Sequence, residues 1–146
     1  MKRSICQFIA LSLISGCAIA NEPAQPGGRP CTDNFTSTGS FFTGTTYKTW
    51  QEHAGVSYDT AFRKAAQSVA SNGWGAVTSN KDTGIITASQ SVTMGKGSTA
   101  PLNVLVQEKS AKVILVEVNF STGPGQRASE DVAREGLCKL AEAASK

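Results

Sequence analysis

Two rhythms of apolar and polar residues run along this chain of 146 residues, and both begin after residue 45. Following Ser57, the residues Tyr58, Ala61, Phe62, Ala65, Ala66, Val69 and Ala70 recur three or four apart. That spacing lays them along one face of a helix. Ser57 offers a hydroxyl to the first turn, and Val56 with Ala61 is placed as a hydrophobic staple. Asn72-Gly73 supplies the stop. A second stripe, Val132, Ala133, Gly136, Leu137, Leu140, Ala141 and Ala144, predicts a C-terminal helix with Cys138 beside the stripe.

The segments between these helices alternate with period two. Thr45 to Glu52 carries Tyr47, Thr49 and Trp50 among polar residues, a strand pattern. A short run covers Trp74 to Ser79. The turn Asn80-Lys81-Asp82-Thr83 leads to another run from Gly84 to Val92, with Ile85 and Ile86 on opposite faces. Leu102, Val104 and Val106 alternate with Asn103, Leu105 and Gln107. Ile114, Val116, Val118 and Phe120 alternate with Leu115, Glu117 and Asn119. Joined by Lys109-Ser110-Ala111, these two runs predict an antiparallel hairpin with one buried face. Met94–Ala100, with Gly95 and Gly97, reads as a flexible loop, and Gly123-Pro124-Gly125 breaks the chain before the last helix. The expected fold is α+β. An antiparallel sheet of about five strands carries two helices on one face, in the order β-α-β-β-β-β-α, as a single domain over residues 45–146.

The first 44 residues have neither rhythm. Lys2 and Arg3 precede an apolar run from Ile5 to Ile14, shorter than the ~20 residues that span a bilayer. A basic start before a short apolar run is the pattern of a secretory signal peptide. Two cleavage sites are legible. Ile14-Ser15-Gly16-Cys17 resembles the bacterial lipobox, which implies a signal peptide of residues 1–16, cleavage before Cys17 and acylation of Cys17. Ala18-Ile19-Ala20 reads instead as an ordinary site that would remove residues 1–20. Multiple acyl chains anchor a protein stably where one is marginal. Ala18, in place of an aspartate after Cys17, resembles lipoproteins sent to the outer membrane, facing the periplasm. The ordinary cut would leave a soluble periplasmic or secreted chain. Residues 17–44, with Pro23, Pro26 and Pro30 around Gly27-Gly28 and then Ser, Thr and Gly, read as a tether.

Export decides how the cysteines are read. Of the four, Cys6 leaves with the signal and Cys17 takes the lipid or leaves too. Cys31 and Cys138 remain, and an isolated pair in an oxidising compartment is expected to form a disulfide. The formal charge is +3, but without Lys2 and Arg3 there are 12 basic and 11 acidic residues, leaving +1. That balance argues against a nucleic-acid partner held by bulk charge.

The order of elements, with Asp82-x-Gly84-Ile85 as a turn between two strands after the helix from Ser57, resembles the helix-grip domains of small Gram-negative lipoproteins. The C component of the outer-membrane protein assembly machine is the nearest in style. The resemblance spans residues 45–146 and implies a fold and a habit of acting by contact. This chain has one such domain rather than two, and a short tether replaces the long partner-binding segment, so no role in assembly is implied.

Catalytic signatures are missing: there is no G-x-S-x-G, Cys-x-x-Cys, H-E-x-x-H or P-loop. Gly95-Lys96-Gly97 lacks the strand-to-helix context of a phosphate cradle. Glu130, Asp131 and Glu135 read as solvated charges at a helix start. Glu52 and the single histidine, His53, are adjacent on a strand and face opposite sides. Trp50 and Trp74 read first as core and second as groove lining. No catalytic, cofactor-binding or metal-binding residue is assigned. The expected function is a non-catalytic envelope lipoprotein, anchored in the membrane by its lipid and binding another envelope protein. The alternatives are a carrier of a small hydrophobic ligand between sheet and helix, and an inhibitor of a periplasmic hydrolase acting through a loop such as Met94–Ala100.

Overall fold

The computed structural model describes residues 28–146. The signal peptide, Cys17 and the first part of the tether lie outside them. Six strands form one antiparallel sheet: β1 (Thr36–Ser40), β2 (Gly44–Ala54), β3 (Gly75–Asn80), β4 (Ile85–Ser91), β5 (Thr99–Ser110) and β6 (Val113–Thr122). Their order across the sheet is β1-β2-β6-β5-β4-β3. The helices are α1 (Pro30–Asp33), α2 (Tyr58–Ser71) and α3 (Glu130–Glu142), followed by a 3-10 turn over Ala143–Ser145.

Alternation sets the layers. Along β6, Ile114, Val116, Val118 and Phe120 are buried, and β5 does the same with Leu102, Val104 and Val106. The register joins them in rows such as Val104 opposite Val118 and Val106 opposite Val116. Fully burying such side chains contributes roughly 1.5–3 kcal/mol each. α2 packs over β5 and β3, and α3 packs over β2 and β6, on this same face. Ala61 and Ala65 are buried in α2; with no side chain beyond Cβ, they let the helix sit close to the sheet. Ser57 caps α2 by accepting the Thr60 amide at 3.3 Å. Between β3 and β4, the Asn80 side chain accepts the amides of Asp82 and Thr83. Gly84 then turns the chain at φ +72°, where a Cβ would lie 2.1 Å from the Val106 carbonyl oxygen.

The class is as expected, but among the described residues the sheet has six strands rather than about five, and there are three helices rather than two. The additions fall in the segment expected as a tether over 17–44. From Pro30 that segment is structured: Pro30 starts α1, where its missing amide is no loss, and Thr36–Ser40 pairs with β2 as the sheet edge. The stretch Met94–Ala100 differs too, since Thr99 and Ala100 belong to β5.

Candidate binding groove

α3 divides its surface three ways, as 100° per residue requires. Ala133, Leu137, Leu140 and Ala141 point into the core. Glu135, Cys138 and Glu142 face α1. Val132, Gly136 and Lys139 face the other flank, where they border a groove.

The α1 flank is the root of the domain. Cys31 and Cys138 form a disulfide, with sulfurs 2.21 Å and Cα atoms 5.3 Å apart across 107 residues of sequence. Arg29 reaches Glu135 at 2.5 Å and Glu142 at 2.6 Å. Hydrogen bonding from Arg29 holds the Glu142 carboxyl below the usual carboxylate range, and the same contacts push Arg29 up. The Thr49 hydroxyl donates to the Cys31 carbonyl. Phe35 stacks on Tyr47 with ring centres 6.2 Å apart. His53, only 3% exposed, donates from Nε2 to the Ala141 carbonyl at 2.7 Å; the carbonyl can only accept, which fixes the donor. The single histidine is therefore a tie between β2 and α3. Glu52 points to the other face and pairs with Lys109.

The opposite flank opens. A depression of about 610 Å³ lies between the end of β4, the β1–β2 turn and the segment 123–128. A second, of about 300 Å³, runs between Trp74 and α3. They adjoin through Gln90, Phe120 and Ala128, which line both. Phe120 forms the floor, with Tyr47 stacked on it at 6.0 Å and Trp74 edge-on at 5.5 Å. Gly136 leaves room along the α3 wall, because a Cβ there would meet nothing within 4 Å. Two exposed apolar side chains stand along it: Met94 is 72% and Val132 71% accessible. Phe41 lines the larger half, and its neighbour Phe42, 84% exposed, stands at the tip of the β1–β2 turn.

Gln126 builds one wall. It is 3% exposed, accepts the Gly123 amide at 2.7 Å, and donates to the Lys96 carbonyl at 3.0 Å. The Lys96 amide donates to Pro124 at 2.8 Å. Gly95 lies so close to this wall that a Cβ would be 2.6 Å from the Gln126 nitrogen. The glycines at 95 and 97 thus serve loop packing, with the Lys96 amide already committed, and the segment expected to be flexible is pinned.

The remaining sequence candidates scatter. Glu130 and Asp131 pair with Arg134 at the start of α3. Trp50 sits on the open face of the sheet, half in solvent, whereas Trp74 both packs on the core and lines the groove. Val132 and Gly136, expected within the buried stripe of the last helix, lie at the groove edge instead. Phe41, Gln126 and Arg127 carried no signal that marked them for a site. Among the described residues, no three His, Cys, Asp or Glu side chains gather as a metal site, and no helix is long and apolar enough to cross a membrane. No protein-family model matches the chain, and comparison with curated proteins finds no significant match.

Proposed function

We propose that this chain is an exported, lipid-anchored envelope protein that acts by binding rather than catalysis, with the groove and the Phe41–Phe42 turn as its working surface. The observation that carries this reading is the grouping of exposed Phe41, Met94 and Val132 along two adjoining depressions, with Phe42 next to Phe41 on the turn. Exposed apolar side chains scattered singly need no explanation, but grouped around a concavity they mark an interaction site. The anchor is Cys17 and the membrane is the outer one, with the domain in the periplasm. The eleven residue-to-residue steps from Cys17 to Gly28 reach about 38 Å at full extension, so the domain works close to the membrane surface. The first partner is another envelope protein, gripped at the aromatic turn.

The carrier reading draws support from a separate observation: both halves of the groove fall within or at the edge of the ~300–1,000 Å³ typical of small-molecule sites. Inhibition of a hydrolase through Met94–Ala100 has less support, because that segment is pinned along much of its length and offers chiefly Met94.

Photo-crosslinking in intact cells tests the protein contact. A photoreactive residue at Phe42 or at Val132 is expected to trap the same discrete protein. One at Asn103, on the open face of the sheet, is expected to trap none. Equal yields from all three positions would defeat the assignment of the working surface.

A further inference from the structure

The groove carries a charge pattern of its own. Its lining includes two charged residues, Arg127 in the larger half and Lys139 in the smaller, and no acid. Arg29, Lys48, Lys81, Lys109, Arg134 and Lys146 form ion pairs at the surface, whereas the two groove cations face a lining of apolar, hydroxyl and amide side chains. Among the described residues, neither Arg127 nor Lys139 has an acidic partner. Glu130, which shares a neighbouring depression with Arg127, is engaged by Arg134 at 2.8 Å.

The two halves also differ in chemistry. Around Arg127 stand the hydroxyl-bearing residues Ser91, Thr93 and Thr122. The guanidinium lies 5.3 Å from the Phe41 ring centre, steadied against the aromatic face. The narrower half runs along Trp74, Ala133, Gly136 and Leu137 and is mostly apolar. A planar guanidinium matches a carboxylate through two parallel hydrogen bonds. An apolar slot leading away from it suits a hydrocarbon chain.

We infer that the groove takes a single-chain anionic amphiphile, a fatty acid, with its carboxylate at Arg127 and its chain laid over Phe120 along Trp74 and Gly136. This rests on the reading of the groove as the working surface and names its occupant. The sign of the charge argues for it: with Arg127 and Lys139 in the lining and no acid, an anionic head group is attracted and a cationic one would be repelled at both ends.

The chain contains two tryptophans, so Trp50→Phe in the exported chain leaves Trp74 as the sole reporter, inside the groove. Dodecanoate, dodecanol and dodecyltrimethylammonium, each below its micelle concentration, are titrated against Trp74 emission. Dodecanoate is expected to give a saturable change, at least ~10-fold tighter than the cation of equal chain length, a preference of about 1.4 kcal/mol. Arg127→Gln is expected to reduce that preference below ~3-fold while Lys139→Gln keeps most of it. Gly136→Leu is expected to abolish binding of all three. That variant replaces a helix glycine with a stronger helix former at a position where a Cβ has space, so it should fold at least as stably as the parent. No saturable change with dodecanoate, equal affinity for the three probes, or an undiminished preference in Arg127→Gln would overturn the inference. Crosslinking at Phe42 would still stand in each case, so the ligand and the protein contact fail separately.

Discussion

Gly84 shows how much one position can decide. Its φ of +72° and the 2.1 Å approach of the Val106 carbonyl to any Cβ leave no room for alanine. Gly84→Ala is expected to lower the unfolding free energy by about 2 kcal/mol or more in urea denaturation; an unchanged midpoint would contradict this. Glu142 sets an acid limit. Arg29 lowers its carboxyl pKa in the folded chain, so the unfolded chain binds the proton more readily. The stability this provides is full above the ordinary carboxylate pKa and is lost as pH falls through the depressed folded value. Thermal melts from pH 6 to pH 3 are expected to show wild type losing stability on acidification. Glu142→Gln should start lower and fall less. Ser57, Gly84 and the cysteine pair were legible because each is a local signal: a cap, a turn and a count. Gln126 was not, because its three partners lie in Gly123 and in a loop about thirty residues away.

At the scale of elements, the strands and helices that bury a periodic face announced themselves; β3 was legible as a short run before a turn although it is exposed throughout, and β1 and α1 stayed silent. β5 and β6 alternate because one side meets α2 and α3. β1 reads Thr-Ser-Thr-Gly-Ser and is exposed at every position. Its register against β2, Thr38 opposite Thr46, is held by backbone pairing that no side-chain pattern records. α1 is four residues long, too short for any period. What ties α1 to the domain, immediately before β1, is the disulfide and the Arg29 contacts at the root. The chain-entropy model gives a crosslink across 107 residues nearly 5 kcal/mol, and measured losses for native disulfides run ~2–5 kcal/mol. Replacing Cys31 and Cys138 together by serine should cost an amount in that range. Amide exchange should rise first in α1 and β1, the elements nearest the lost bridge. Uniform protection across the sheet, with stability unchanged, would show that the bridge is dispensable.

The molecule as a whole is a sheet covered on one face, with α3 shared between a closed root and an open groove. The stripe on α3 was legible as apolar, but not that its edge, Val132 and Gly136, would be left uncovered. That depends on where β4, the β1–β2 turn and residues 123–128 come to rest, and these segments are far apart in sequence. The proposed role adds an address to this shape: outside the cytoplasm, fixed by Cys17, with the disulfide locking the point where the tether meets the domain. A groove that binds amphiphiles or proteins has this meaning only if the chain is exported. The intact mass of the chain recovered from its cells, with and without reductant, tests that most directly. The account predicts an N-terminus at acylated Cys17 and the mass of two added hydrogens on reduction, from the Cys31–Cys138 bridge. A chain that keeps Met1 and carries free thiols would contradict it.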